Sequence, residues 1–383
     1  MRLRNPLTAL ALIVLASSQP KAQGPQPVAK KPEQKIQVAI LLDVSGSMSG
    51  LIDQAKTQLW NMVSTLGKAV CADKTQPKVE LALYEYGRST NDVNKGYVKR
   101  LSPFTNDLDE VSKILFSLGT DGGEEYCGEV IYTSMDELTW DPSQDSYKVI
   151  FIAGNEDFLQ GKRHYTQACT KANAKGVIVN TIYCGDYQEG IREHWGLSGE
   201  CGNGSYSNID HNAKEQEIPT PYDSILLVMN NRLNGTYIGY GAQGGANMER
   251  QKAVDNANFG YSTSVAAKRI SAKAQSNVYA NTSWDLVDAY KKDSTSIGAK
   301  LDKNTLPDSL KNKTTEQLKL YVQQKQTERS AIQQEILMVN VQRNKYIADE
   351  KAKAAVNSNQ PTLGSAVEKT IRQQASRFKI MID

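Results

Sequence analysis

The sequence predicts an α/β protein: a doubly wound, mainly parallel sheet, followed by a helical C-terminal region with one long helix. Two observations support the sheet. Apolar runs of strand length recur along the first half of the chain, and between them apolar residues return every three or four positions, as in helices that cover a sheet. A third observation supports the helical region, because the composition becomes rich in Ala, Asn and Ser after residue 240 and then in charged residues.

The predicted strands are short apolar runs bounded by polar or glycine-rich segments. Residues 97–101 are predicted as a hairpin or edge strand, and residues 205–209 as a further short strand. The four buried strands are predicted at Val38–Leu42, Val79–Tyr86, Ser146–Ala153 and Val177–Cys184. Their alternation with helices predicts parallel pairing.

The helices of this part of the chain are predicted from apolar residues at helical spacing. Gly176 is well placed to end the fourth of them, since glycine accepts the left-handed conformation that often closes a helix. The predicted helices are Leu51–Val70, Leu108–Leu118, Glu129–Trp140, Tyr165–Lys175 and Tyr222–Leu233.

The C-terminal region is predicted to be helical from Gln243 to Lys291 and again from Leu318. A seam with alternating spacing of four and three has Lys or Arg at three of its nine positions: Leu318, Val322, Lys325, Arg329, Ile332, Ile336, Val339, Arg343 and Tyr346. It predicts a long charged helix folded back on itself or on the preceding domain, with an oligomeric coiled coil as the alternative. A final amphipathic helix, 363–378, is predicted to pack against the long helix; membrane-surface binding through Arg372, Arg377 and Lys379 is the alternative.

The amino terminus has the order of a secretory signal peptide. Arg2 and Arg4 precede the apolar stretch Leu7–Ala16, and small and polar residues follow. We therefore expect a signal peptide at 1–22, a flexible linker at 23–35, and export to the periplasm or the outside. The apolar stretch is too short to span a bilayer core of about 30 Å, and no transmembrane segment is expected in the mature chain.

Composition excludes some classes of function. The formal net charge is only +3 over 383 residues, and no basic stripe with interleaved aromatic residues indicates nucleic-acid binding. The five cysteines fit an oxidising compartment, and their odd number leaves at least one unpaired within a monomer: Cys71, Cys127, Cys169, Cys184 and Cys201. Their pairing cannot be deduced from the sequence.

The first predicted strand ends in Asp43-x-Ser45-x-Ser47, which is the most informative pattern in the chain. One carboxylate and two hydroxyls on one turn, at the carboxyl end of a strand, suit a hard cation such as Mg²⁺ or Mn²⁺. The alternative is that Ser45 and Ser47 cap the following helix while Asp43 accepts hydrogen bonds from loop amides.

This segment resembles the metal-ion-dependent adhesion site of von Willebrand factor type A (VWA) domains. Together with 83–87, 122–128 and 152–156, it resembles an uncharacterised group of bacterial exported VWA proteins. The resemblance covers 36–239 and implies a VWA domain, Rossmann-like in its winding, with a cation site but no known activity. We expect a helical extension at 240–300, and at 301–383 the long charged helix and the C-terminal amphipathic helix.

The resemblance also shows where this chain departs from a complete adhesion site. Such a site adds a Thr from a second loop and an Asp from a third. Here the Thr position falls near Cys127, and the Asp position is Gly154. Nearby oxygen donors that could replace them are Thr120, Glu124 or Glu125 in the second loop, and Asn155 or Glu156 in the third.

The sequence therefore predicts an exported binding or scaffold protein, which engages a protein partner through a degenerate cation site and a carboxylate offered by that partner. No His, Cys or Ser arrangement indicates catalysis, so we do not expect an enzyme. The alternative is a periplasmic hydrolase or cell-wall-processing protein that uses loop carboxylates near Glu124 and Glu156. Several carboxylates with raised pKa values in a cleft would favour the enzyme, and a flat rim around Asp43 would favour the binder.

Overall fold

The central sheet contains six strands in the order β4-β3-β1-β5-β6-β7. In this computed structural model the described residues are 33–212, 217–298, 301–353 and 362–382. The predicted signal peptide and most of the predicted linker lie outside them and stay predictions. The strands are β1 (Lys35–Asp43), β2 (Ala69–Cys71), β3 (Lys78–Tyr86), β4 (Lys99–Thr105), β5 (Tyr147–Gly154), β6 (Ile178–Cys184), β7 (Asn203–Ile209) and β8 (Ile380–Ile382).

Helices separate most of the strands and fill the C-terminal region. They are α1 (Ser49–Leu66), α2 (Leu108–Ser117), α3 (Cys127–Glu137), α4 (Tyr165–Ala174), α5 (Tyr187–Arg192), α6 (Trp195–Cys201), α7 (Pro221–Asn234), α8 (Gly244–Tyr261), α9 (Thr263–Lys273), α10 (Leu286–Lys292), α11 (Asp308–Lys311), α12 (Thr315–Lys353) and α13 (Leu363–Ala375).

Strand β1 lies at the centre of the sheet and is parallel to both of its neighbours, β3 and β5. The chain first builds outward from β1 through β3 to β4, which is an antiparallel edge strand, and then crosses to the other side to build β5, β6 and β7 in parallel. The predicted fold class is thus confirmed. The direction of winding reverses between β1 and β5, where open α/β sheets form a crevice at their carboxyl ends.

Alternate residues of β1 point to opposite faces of the sheet, as the period of a strand requires. On one face, Val38 and Leu42 join the core formed by α1, α2 and several C-terminal helices. On the other, Ala39 and Leu41 join a second core formed by α3, α4 and Trp195. Because both faces are covered, β1 is apolar almost throughout, and this is the run that the sequence displays.

The predicted seam is confirmed as the inner face of α12. Its apolar members Leu318, Val322, Ile332 and Ile336 are buried, as are two of its three basic members, Arg329 and Arg343. Arg329 Nη1 donates to Asp285 Oδ2 at 2.6 Å and to Asp288 Oδ1 at 2.7 Å. Arg343 Nε donates to Asp223 Oδ1 at 2.7 Å. The seam therefore faces helices of the same chain, and the oligomeric coiled coil stays an untested alternative.

The final helix does not pack where we expected. Helix α13 packs against α1 and the sheet, and Leu363 and Val367 face Ile40, Leu42 and Phe151. The prediction that it packs mainly on the long helix is wrong. This sheet face beside α1 is apolar, whereas the surface of α12 outside its seam is mostly charged or polar, so burying α13 on the sheet removes more apolar area from water. Residues 380–382 then form β8, which pairs with β2 in a small antiparallel sheet that the sequence did not predict.

A buried ionic network joins the C-terminal helices to the sheet layer. Arg269 of α9 is almost fully buried, and it donates to Asp109 of α2 at 2.8 Å and to Asp255 of α8 at 2.6 Å. Lys273, also buried, donates to both oxygens of Asp255, at 3.1 and 3.0 Å, and the hydroxyl of Tyr279 donates to Asp109. Burial lowers the pKa of Lys273 to about 8 in spite of the attraction of Asp255.

One disulfide joins Cys169 of α4 to Cys201 at the end of α6. The sequence left this pairing open. The other three cysteines are buried, Cys127 and Cys184 among them, and burial raises the thiol pKa of these two well above its ordinary value. They are neutral and act as small apolar residues of the core.

Removing the charge of Arg269 is expected to destabilise the protein strongly, because Asp109 and Asp255 would lose their buried partner. We expect Arg269→Met to lower the free energy of unfolding by about 3 to 5 kcal/mol in urea at pH 7. Arg232 forms an exposed pair with Glu335, so the matched Arg232→Met should cost less than about 1 kcal/mol. Equal losses from the two substitutions would show that burial does not determine the effect.

Candidate functional site

The site lies where the sheet reverses its winding. Asp43 is the last residue of β1, and Asn155 follows Gly154, the last residue of the adjacent parallel strand β5. The second loop lies against the first, because the amide of Asp121 donates to the carbonyl of Val44 at 2.9 Å. Three loops from separate parts of the sequence therefore meet at one end of the sheet, as the family resemblance implied.

The carboxylate of Asp43 is fully buried and only partly hydrogen-bonded. Its Oδ1 accepts from the amide of Ser45 at 2.7 Å. Its Oδ2 has no hydrogen-bond partner among the described residues, and the same is true of Ser45 Oγ and Asn155 Oδ1. The Ser45 hydroxyl and the Asn155 amide lie close enough to Asp43 to lower its pKa, but neither forms a hydrogen bond with it by geometry. Three buried oxygens at one place thus lack the partner that such atoms almost always have.

The two serines do not cap a helix. Ser45 precedes a 3₁₀ turn, Gly46–Met48, without a side-chain capping bond, and α1 begins after Met48 without one. Ser47 is exposed, and its hydroxyl accepts from Nδ2 of Asn155 at a long 3.4 Å. The helix-capping alternative therefore does not describe the hydroxyls, although Asp43 does accept a bond from a loop amide.

Glycines on two sides leave room for the Asp43 carboxylate. A Cβ on Gly154 would lie 2.4 Å from the hydroxyl of Tyr86 and 3.0 Å from Asp43 Oδ2. Gly87, at φ +83°, would place a Cβ 3.0 Å from Asp43 Oδ1. The Tyr86 hydroxyl, which donates to the Ala153 carbonyl at 3.0 Å, lies where a side chain at Gly154 would begin. Tyrosine thus fills space beside the third-loop position at which a complete site has its Asp.

The second loop brings Glu125 into the site rather than Glu124. Glu125 is buried. A Cβ on Gly87 would lie 3.6 Å from Glu125 Oε1 and 3.0 Å from Asp43 Oδ1. Glu124 is exposed. Thr120 is half-buried in the same loop, next to Asp121. In the third loop, Glu156 is half-buried and accepts from Nε2 of Gln160 at 3.1 Å.

Burial raises the pKa of both buried carboxyls. The pKa of Asp43 rises to about 6, with a smaller contribution from the charge of Glu156. The pKa of Glu125 rises to about 8, because burial is reinforced by the charges of Asp43, Glu156 and Glu124. None of the ion pairs within the described residues includes Asp43, Glu125 or Glu156. The site therefore gathers carboxyl groups without a basic side chain paired with them.

The donors fit a hard cation better than a soft one. Across the described residues, no three His, Cys, Asp or Glu side chains form a cation-binding group. A cation here would depend on hydroxyl, amide and water oxygens beside its carboxylates, and Mg²⁺ accepts such a set. Cys127, near which the resemblance puts the second-loop Thr position, is a buried neutral thiol beside Tyr86 and is a poor ligand for Mg²⁺.

The sequence did not indicate that Tyr86 fills the space beside Gly154. The available signal was its position, because Tyr86 ends a predicted strand, and the structure places it opposite Asp43 in the parallel register of β1 and β3.

No family model matches the chain, and no curated protein matches it. Among solved structures, it is similar to an aerotolerance-related membrane protein from Bacteroides fragilis, at 16% identity over 46% of this chain and 92% of that one, with a TM-score of 0.32. It is similar to the SpRpn10 VWA domain at 13% identity, over 45% of this chain and 86% of that one, with a TM-score of 0.33.

A third similar structure is proximal thread matrix protein 1 from the mussel byssus with a zinc-occupied MIDAS motif, the metal-ion-dependent adhesion site. The identity is 11%, over 46% of this chain and 41% of that one, and the TM-score is 0.33. None of the three is described as an enzyme. The chain resembles VWA-domain proteins in its fold, as its sequence indicates.

The raised pKa of Asp43 predicts a loss of stability as pH rises. The folded protein holds this proton to about pH 6, whereas the unfolded chain releases it near pH 3.8. The stabilisation present below pH 3.8 is therefore lost as pH rises through 6, by about 3 kcal/mol. In chelator, Asp43→Asn should gain stability relative to the wild type between pH 4.5 and pH 8, measured by urea unfolding. A difference in unfolding free energy between Asp43→Asn and the wild type that does not change with pH would contradict the raised pKa of Asp43.

Proposed function

We propose that this protein is an exported binding or scaffold protein, which holds Mg²⁺ or Mn²⁺ at the crevice between β1 and β5 and engages a protein partner through that cation. The observation behind the proposal is the group of three unpartnered buried oxygens, Asp43 Oδ2, Ser45 Oγ and Asn155 Oδ1. Leaving such atoms without partners costs about 1 to 3 kcal/mol each, and a cation or its bound water would satisfy them.

Each residue has a separate role in this proposal. Asp43 supplies the charged ligand from a rigid strand end, and Ser45 and Asn155 supply neutral oxygens. Ser47 stands at the exposed side of the turn, next to Asn155, where a partner can approach. In this proposal, Thr120 and Glu156 act through water. The cation supplies positive charge to offset the carboxylates and a coordination position for an oxygen of the partner.

Two observations support export. The order of basic, apolar and small residues in 1–22 is typical of a signal peptide. The Cys169–Cys201 disulfide is typical of proteins in oxidising compartments. Among the described residues, no helix combines the length and apolar character needed to cross a membrane.

The division of the chain belongs to the same proposal. In this proposal, 36–239 is the binding domain, 240–300 is the helical extension, and 301–383 carries the long charged helix and the C-terminal amphipathic helix. Leu42, Val254 and Ile336, one from each of these parts, share a single hydrophobic core. The helical parts thus support the face of the sheet that also carries α1, whose first turn follows Ser47. Oligomerisation through the tail stays a prediction.

One observation favours the alternative of a hydrolase with loop carboxylates, because Asp43 and Glu125 both have raised pKa values of the kind found in acid–base catalysis. Burial of these two carboxyl groups raises their pKa values in the same way without any catalytic role. Two cavities elsewhere in the described residues, an apolar one beneath α13 and a polar groove of about 350 Å³ between α7 and α8, do not include Asp43. We therefore favour the binder.

Cation binding should depend on Asp43. Isothermal titration of the mature protein with Mg²⁺ and Mn²⁺ is expected to show binding to the wild type and no measurable heat with Asp43→Ala, which lacks the charged ligand. Asp157→Asn is the matched control, because Asp157 lies in the third loop but contacts His194. Equal heats from wild type and Asp43→Ala would refute the cation site, and hydrolytic activity that persists in chelator would favour the enzyme.

Partner binding should depend on Asp43 and on the cation together. Affinity capture from a periplasmic extract is expected to retain a partner on the wild type, and to lose the same partner with Asp43→Ala or with chelator, because each removes the coordination contact. A partner that is lost with the variant but kept in chelator would show that Asp43 acts without a metal.

A further inference from the structure

We propose that Glu125 is a resident ligand of the cation, and that it supplies from within the chain the carboxylate that a partner was expected to bring. The partner then offers a neutral oxygen, such as a hydroxyl or an amide carbonyl. This inference rests on the proposed cation site at Asp43 and assigns a second charged ligand to it.

The buried acidic residues provide the first argument. Of the eight in the described ranges, six form an ion pair with Lys or Arg: Glu80, Glu85, Asp109, Asp223, Asp285 and Asp288. The two that do not are Asp43 and Glu125. A buried carboxylate without a counter-charge is costly, and here the only two such side chains of the described residues are neighbours. One divalent cation between them would balance both.

The position of Glu125 provides the second argument. A Cβ on Gly87 would lie 2.9 Å from Glu125 Cγ and 3.0 Å from Asp43 Oδ1. The two side chains therefore approach each other across a residue that has no side chain. The neighbouring glutamate, Glu124, is exposed.

The backbone holds Glu125 in this position. Its carbonyl accepts from the amide of Cys127 at 3.1 Å, at the start of α3. Two residues earlier, a Cβ on Gly123 would lie 2.5 Å from the Gly87 carbonyl oxygen, so the second loop lies directly on the Gly87 loop. The unpartnered Ser45 Oγ and Asp43 Oδ2 show independently that this place lacks a ligand.

The donor set provides the third argument. The resemblance puts the two remaining oxygen ligands of a complete adhesion site near Cys127 and at Gly154, and neither residue offers a hard side-chain oxygen. Glu125 restores one charged oxygen donor. Together with Asp43, it already balances the charge of a divalent cation, and Glu156 adds further negative charge nearby. A carboxylate from a partner would be repelled, whereas a neutral oxygen would not.

Titration with Mn²⁺ tests the assignment. We expect Glu125→Gln, which keeps the shape but removes the charge, to weaken Mn²⁺ binding by about tenfold or more, because affinity follows the charge of the ligands. Glu124→Gln is the matched control and should bind as the wild type does. Urea unfolding in chelator, where Glu125→Gln should be at least as stable as the wild type, separates loss of a ligand from loss of the fold.

Acetate tests whether the carboxylate position is filled from within. We expect acetate to tighten Mn²⁺ binding to Glu125→Ala, where it can enter the vacated space, and to leave the wild type unchanged. Acetate that tightens binding to the wild type as well would show an open position and overturn the inference.

The outcomes also separate this inference from the proposed function. If Glu125→Gln binds Mn²⁺ like the wild type while Asp43→Ala does not bind it, Glu125 is not a ligand and the cation site stands. If the wild type itself does not bind Mn²⁺, both proposals fall.

Discussion

Buried arginine–aspartate pairs hold the helical half of this protein to its sheet. Arg269 is enclosed between Asp109 and Asp255, and Arg329 and Arg343 are enclosed in the same way along α12. Charges removed from water are tolerated only when their partners surround them with good geometry. The pairs therefore fix where α2, α7, α8, α9 and α12 lie, and with them the core that packs on α1. Because α1 starts at the Ser45–Ser47 turn, the shape of the candidate site depends on these distant charges.

The same rule makes the candidate site conspicuous. Across the described residues, acidic side chains inside the protein are matched with basic ones except at the end of β1, where Asp43 and Glu125 meet. Hydrogen bonds do not take the place of a basic partner here, because Asp43 Oδ2 and Ser45 Oγ accept none from the described residues. In the proposed function, a cation from outside the chain balances these carboxylates. This account joins the geometry of the crevice to the proposed function in metal-dependent binding.

The fold could be predicted because apolar residues recur at regular spacing in strands and helices. The site could be predicted only in part, because loop residues have no such periodicity. The apolar runs gave β1, β3, β5 and β6, and the spacing of four and three gave the inner face of α12. The partners of Arg329 could not be predicted, since Asp285 and Asp288 lie more than forty residues away. Neither could the choice between Glu124 and Glu125, because adjacent loop residues have no repeating orientation. The strand β8 was missed because a three-residue strand has too few residues to show alternation.

Gly87 and Gly154 have a consequence for how this site tolerates change. Neither offers a donor atom, yet a methyl group at either position would contact the Asp43 carboxylate, and at Gly154 the Tyr86 hydroxyl as well. The crevice is thus defined as much by empty volume as by oxygen atoms. A random mutational screen for lost binding should recover substitutions at these two positions alongside those at the ligands, and a search for related sites that compares ligand residues alone would overlook half of the pattern.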